Sequence, residues 1–191
     1  MTYRAFCDSA PVLEKPLAEK AGIGWVGKNC TLITKELGSF VFLGELFVDL
    51  PLPIDTPAEN RCGDCTKCLE ACPTKALVAP YQIDARKCIA YLTIEHRGEI
   101  SESLKKQMQN KIVGCDICQN VCPYNQRPTE TIETAFKPSD ELKTTPLKRL
   151  SAWTEKEFLE KTKASDIKRL GYERWQRNIK IALENLDDTE V

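Results

Sequence analysis

No stretch of 18 consecutive apolar residues occurs in the 191-residue sequence, and no basic segment followed by an apolar one opens it. The first absence excludes an ordinary transmembrane helix and the second argues against secretion, so a cytoplasmic protein is expected. Neither sign of charge is in excess. With 27 Lys and Arg against 28 Asp and Glu the net charge is −1, and any contact with nucleic acid needs a local basic patch. There is one histidine, His96, and a lone imidazole is more often a satisfied surface group than a ligand. Cysteine, by contrast, is abundant, with ten in all. In a reducing compartment these are expected to bind metal rather than to form disulfides. At 42% apolar and 29% charged residues, the composition is that of a folded protein of one or two domains.

The residues Ala21 to Asn29, AGIGWVGKN, read G-x-G-x-x-G followed by Lys. A dinucleotide fingerprint needs a strand before such glycines and a helix after them, so that the pyrophosphate meets a helix N-terminus. Here the order is reversed. Val12 to Lys20 has a helical pattern, with Val12, Leu13, Leu17 and Ala21 on one face, Pro16 in its first turn and Gly22 as its stop. The runs TLIT (31–34) and FVFLGELFV (40–48) follow, and the Gly38-Ser39 pair between them predicts a hairpin. A P-loop fails as well, because Asn29 stands where its magnesium-binding Ser or Thr belongs. The glycines are therefore expected to allow a tight turn against the fold. Three prolines in PLPIDTPAEN (51–60) mark a linker, and a cysteine-rich block follows from Arg61 to Asn125. A polar stretch around Arg127 to Lys143 then leads into a charged helical tail.

Eight of the ten cysteines fall in one pattern. CGDCTKCLEACP sets Cys62, Cys65, Cys68 and Cys72 at x2, x2 and x3 spacing before Pro73. CDICQNVCP sets Cys115, Cys118 and Cys122 at x2 and x3 spacing before Pro123, and Cys88 lies between the two runs. Thiolates so spaced wrap a cubane cluster, while the last cysteine of each run, before proline, reaches the other cluster. Cys62, Cys65, Cys68 and Cys122 are thus expected to hold one [4Fe–4S] cluster, and Cys72, Cys88, Cys115 and Cys118 the second. Structural zinc favours two cysteine pairs separated by a spacer and fits these runs poorly. Cys7 and Cys30 are left over and are expected to be small buried residues. Two clusters move single electrons, as in a carrier or an enzyme. A plain ferredoxin would need neither the residues in front of the block nor the tail.

The segments YRAFCDSAPVLEKPLAEKAGIGWVGKN, GSFVFLGEL, the two cysteine runs and YLTIEHRGEI resemble, in order and spacing, the epoxyqueuosine reductase (QueG) family. The resemblance covers nearly all of residues 3–125 and continues more weakly in GYERWQRN (171–178). It implies reduction of epoxyqueuosine to queuosine at the wobble base of transfer RNA, the last step of queuosine biosynthesis. It also implies cobalamin and two [4Fe–4S] clusters as cofactors, with electrons passing from an external donor through the clusters to cobalamin. The architecture implied is α+β. Residues 1–57 would be part of a cobalamin-binding α/β domain, 58–126 a ferredoxin-like two-cluster domain, and 127–191 a helical basic region. Family members carry a substantial N-terminal region before the point at which Met1 falls. The sequence therefore corresponds to a C-terminal part, with the N-terminal part expected to be lost or separately encoded.

The resemblance makes Asp8, in FCDSAP, the proton donor to the epoxide oxygen and a neighbour of the cofactor; the residues alone suggest a helix N-cap. Burial beside Phe6 and a corrin would keep that carboxyl protonated. Leu32, Leu43 and Ala90 are implied to touch cobalamin, with the glycine turn as part of its cradle, although each also suits an ordinary core. Arg97, beside His96, is implied to meet the RNA. Between Lys143 and Lys180 eleven Lys and Arg face five Asp and Glu, interleaved with Trp153, Tyr172 and Trp175. The tryptophans suit the anchoring of a helical hairpin. Lys168, Arg169, Arg174 and Arg177 are expected to face an RNA backbone. Two other readings share parts of this pattern: a two-cluster electron carrier without catalytic activity of its own, and a corrinoid reductive dehalogenase, which gives no reason for the basic tail.

Overall fold

In the computed structural model, which describes residues 2–137 and 139–187, the chain opens with β1 (Tyr3–Phe6), α1 (Glu14–Lys20), β2 (Trp25–Val26), β3 (Leu32–Ile33) and β4 (Glu45–Val48). The cysteine-rich block holds α2 (Lys67–Ala71), β5 (Leu77–Ala79), β6 (Gln82–Ile83), α3 (Ile89–Ile94), α4 (Glu102–Gln107) and α5 (Ile117–Asn120). The tail forms α6 (Asp140–Thr144), α7 (Leu147–Ser151), α8 (Glu155–Lys161) and α9 (Tyr172–Asp187). Met1 and residues 188–191, the outer ends of the expected first and third segments, lie outside the described residues. The chain divides into two compact units that do not coincide with those segments. Met1–Cys72, Leu77–Ile83 and Ile117–Thr129 form the first, and Pro73–Ala76, Asp84–Asp116 and Glu130–Val191 the second. The cysteine-rich block is shared because its middle portion packs with the C-terminal helices.

In the first unit α1 tolerates Pro16 because the first turn of a helix has no intrahelical partner for that N–H. It stops as expected. Gly22 takes φ +70°, and the N–H groups of Gly22 and Ile23 donate back to Glu19 (3.1 Å) and Ala18 (3.0 Å), a Schellman ending. The buried face is not the expected one: Ala18 is buried, while Leu13 and Leu17 are exposed.

The expected hairpin does not form. β3 pairs antiparallel with β2, Trp25 opposite Ile33 and Val26 opposite Leu32, and β4 pairs antiparallel with β1, Tyr3 opposite Val48. Pairing across the intervening turn is limited to one bridge, because each run has its partner elsewhere. Thr34 and Gly38 exchange both backbone hydrogen bonds, and the Ser39 N–H is then taken by Asn125 Oδ1 at 2.7 Å. The proline-rich stretch 51–60 has no regular structure, yet it is fastened to the unit. Ala58 N–H donates to Glu19 (2.9 Å) and Asn60 Nδ2 to the Val26 carbonyl (3.2 Å).

In the second unit Trp153 stacks on Trp175 with centroids 5.8 Å apart and 16° between planes, and Phe158 lies 5.5 Å from Trp175. All three are buried, so the tail's tryptophans are core, as the anchoring expectation holds. Thr154 and Glu157 form a capping box that opens α8. Buried Asn178 donates to the carbonyls of Thr93 (2.9 Å) and Ile112 (2.8 Å), tying α9 to α3 and to the chain after α4. Truncating Phe158 or Trp175 to Ala is expected to cost about 3–5 kcal/mol, the range for large buried aromatics.

Candidate metal centre

The first unit contains a cavity of about 240 Å³ into which Cys62, Cys65, Cys68 and Cys122 all open. Local structure explains how each arrives. Asn60 Oδ1 accepts the Cys62 N–H (3.0 Å), and Cys65 N–H donates to the Cys62 carbonyl (3.1 Å), which curls the first two cysteines into one turn. Cys68 rides in the first turn of α2, which packs against α5. Cys122 follows α5 and precedes Pro123. A residue before proline is held extended, and Cys122 has φ −69° and ψ 129°, so the chain leaves the helix there and the thiol turns off its axis. Trp25, Ile33 and Tyr124 pack with Cys62 and Cys122 as the apolar wall, Trp25 and Tyr124 meeting edge to face at 4.8 Å.

The other lining groups complete the electrostatics. Lys28, Arg61 and Lys67 line the cavity, and no carboxylate among the described residues does. Lys28 Nζ donates to the carbonyls of Gly63 (2.6 Å) and Cys65 (3.0 Å), holding the cysteine turn in place. Burial pushes the Cys68 and Cys122 thiols up, and the neighbouring Cys62 and Cys65 add to the effect. A bound metal reverses that balance, since a coordinating thiol is deprotonated outright. Among the described residues no three His, Cys, Asp or Glu converge on a point where one ion would sit. The four cysteines line one cavity, and a cubane takes one thiolate on each of its four irons. Asn29 also lines the cavity, is 4% exposed, and has an Nδ2 without a hydrogen-bond partner among the described residues. Leaving such a donor unmet costs about 1–3 kcal/mol, which a cluster sulfur would offset. The residues present fit a [4Fe–4S] group.

The other expected site residues are distributed differently. Cys72 and Cys118 belong to the first unit, and Cys88 and Cys115 to the second. Asp8 is exposed, takes φ +50°, and its N–H donates to Glu14 Oε1 (2.8 Å). It does not cap α1, whose N-cap is Leu13, and the burial expected beside Phe6 is not supplied by the described residues. Cys7 is exposed rather than buried, since it follows a strand at the edge of a two-stranded sheet, and its thiol donates to the Leu43 carbonyl at 3.2 Å. Cys30 is half-buried.

For a corrin the fit is incomplete. Leu43 and Ala90 are half-buried, but Leu32 is closed into the first unit at 4% exposed. The spaces left by Gly22, Gly24 and Gly27 are taken up by Thr56, Ile33 and Asn29 of the chain itself. A corrin would need further surface than these residues provide.

In the second unit His96 is satisfied, its Nε2 lying 3.0 Å from the Glu99 carbonyl, and Arg97 is exposed. Arg174 and Arg177 overturn the expectation that they face RNA. Arg174 donates to the Ile94 carbonyl (2.7 Å), and Arg177 to those of Leu92 (2.7 Å), His96 (2.9 Å) and Gly98 (3.1 Å). Both guanidinium groups thus satisfy the carbonyls at and beyond the C-terminal end of α3, where positive charge is favourable. Arg169 pairs with Glu95, while Lys168 stays exposed.

Comparison with known proteins agrees with this geometry. Residues 61–125 match the family described as a 4Fe-4S double cluster binding domain. An epoxyqueuosine reductase of Xanthomonas campestris pv. campestris is 53% identical over 188 residues, 98% of this chain and 53% of that protein. Among solved structures, an epoxyqueuosine reductase with an epoxyqueuosine-modified tRNA stem loop superposes with a TM-score of 0.92 at 37% identity, over 99% of this chain and 50% of that one. A Bacillus subtilis epoxyqueuosine reductase, captured with its aspartate-bearing catalytic loop swung out of the active site, gives 0.90 at 37% identity, over 98% of this chain and 50% of that one. The chain spans about half the length of the curated relatives it matches. By sequence and by fold the chain matches about half of an epoxyqueuosine reductase.

Proposed function

We propose that the chain is the iron–sulfur portion of an epoxyqueuosine reductase, acting on the wobble base of transfer RNA in the cytoplasm. The observation that carries this reading is the cavity where four cysteines from two sequence runs meet under three cations and a buried amide. The first cluster takes Cys62, Cys65, Cys68 and Cys122, and the second Cys72, Cys88, Cys115 and Cys118. Converting the epoxide to an alkene consumes two electrons and two protons, and the oxygen leaves as water. Clusters held by these cysteines would supply one-electron transfer, with the electrons drawn from an external donor. Cobalamin, as the resemblance implies, would supply the bond-making redox chemistry, but the residues of this chain alone do not complete its site. Leu43 and Ala90 would offer it apolar contact, together with the region that the relatives have and this chain does not span. Exposed apolar side chains in the first unit, Tyr3, Phe42, Leu46 and Phe47 among them, suit packing against that region.

Asp8 is the proposed proton donor to the epoxide oxygen. Its exposure and left-handed backbone suit a loop that moves, as the aspartate-bearing loop of the Bacillus subtilis relative does. Arg97 and Lys168 are the proposed RNA contacts. The test is Asp8→Asn in a reconstruction that joins this chain to the region its relatives have beyond it. Asn keeps the size but has no carboxylic proton. Clusters are expected to assemble normally, while epoxyqueuosine turnover falls by about two orders of magnitude or more. Turnover at the parent rate would remove Asp8 from the mechanism. A chain that exchanges electrons but supports no turnover in any reconstruction would favour the carrier reading.

A further inference from the structure

We propose that Asn29 donates an N–H···S hydrogen bond to the cluster of Cys62, Cys65, Cys68 and Cys122, and that with Lys28 it sets that cluster's reduction potential. The inference rests on the reading of this cavity as a cluster site. The orientation of the Asn29 amide is fixed by its neighbour. Its Oδ1 accepts both the Thr31 N–H (3.2 Å) and the Thr31 hydroxyl (2.8 Å), and because a backbone N–H can only donate, the end facing Thr31 is the oxygen. Nδ2 is therefore the opposite end of the group, buried, without a partner among the described residues, on a side chain that lines the cavity. Gly27 makes room for this arrangement, since a Cβ there would stand 2.9 Å from Asn29 Oδ1 and collide with the Ile33 side chain.

Lys28 brings a full positive charge to the same cavity and is held there by the Gly63 and Cys65 carbonyls. Reduction adds one negative charge to the cluster. A donor aimed at a sulfur and a fixed ammonium both favour the reduced state, so both raise the potential. The turn that looks like a nucleotide loop thus delivers two groups that adjust an electron-transfer site. Its Asn, the residue that rules out a P-loop, is the one that reaches the cluster's sulfur.

The test is an anaerobic redox titration of the reconstituted chain followed by electron paramagnetic resonance, with iron content measured first. Parent protein without iron would defeat the cluster reading itself. With iron present, Asn29→Leu removes the donor without adding charge. Asn29→Asp keeps the Thr31 contact and replaces the donor by an acceptor, and Lys28→Met removes the ammonium. Each is expected to retain both clusters and to move one of the two midpoints to a more negative value, leaving the other in place. The expected size for either Asn29 variant is about a tenfold fall in the reduced-to-oxidised ratio at fixed potential, about 59 mV for one electron. Midpoints that stay put in iron-replete variants would overturn the proposal, as would equal movement of both. Loss of the first cluster from all three variants would also overturn it, showing a role in assembly instead.

Discussion

Arg174 and Arg177 show how neighbours decide what a charged residue does. Both sit in a basic, aromatic-rich stretch that reads as an RNA-facing patch, yet their guanidinium groups are spent on carbonyls some 80 residues earlier in the chain. Burial and the adjacent Arg174 push the Arg177 pKa down, but an arginine far above neutrality keeps its charge. Arg177→Ala is expected to lower stability by about 2–3 kcal/mol, because three carbonyls lose a charged donor at once. Thermal or denaturant unfolding measures this, and an unchanged midpoint would contradict the packing described. Lys168→Ala should do the reverse. Stability stays as it is, while the salt dependence of transfer RNA binding flattens by about one phosphate contact. If Lys168 moves neither quantity, its place in the RNA surface is lost.

At the scale of elements, the glycine turn is organised by crowding. Gly24 has an ordinary backbone conformation, but a Cβ added to it would press on the Ile33 backbone, with the carbonyl carbon at 2.9 Å. Gly24→Ala must separate β2 from β3, and since Ile33 walls the cavity the damage should reach the first cluster. We expect a cost of about 3 kcal/mol, the upper end for overpacking a tight site, together with reduced iron in the first cluster. Full stability and full iron in that variant would show that the turn has slack.

The elements also separate what was legible in the sequence from what was not. The stop of α1 at Gly22 was legible, because a Schellman ending is made by adjacent residues. The partner of β4 was not. It is β1, some 40 residues away, and strand pairing depends on which edge the rest of the fold leaves open. That Cys62, Cys65, Cys68 and Cys122 meet at one cavity was legible from x2 and x3 spacing before proline, whereas the place of Asn29 beside them was not, since it comes from burial and from Thr31 holding its oxygen.

For the whole molecule, two compact units share the cysteine-rich block, and the second set of cysteines is divided between them, Cys72 and Cys118 in one and Cys88 and Cys115 in the other. Apolar side chains remain exposed through residues 3–54, consistent with a chain that corresponds to about half of its relatives. Among the described residues no helix is long and apolar enough to cross a membrane. The claim on which everything else depends is that this chain carries two cubane clusters on the eight cysteines named. Iron and acid-labile sulfide, determined on anaerobically reconstituted protein and on Cys68→Ala, test it most directly. About eight irons in the parent and about four in the variant are the expected results, one cluster of four being lost with its ligand. Two tightly bound zinc ions per chain without visible absorbance, or a Cys68→Ala protein with its iron undiminished, would contradict it.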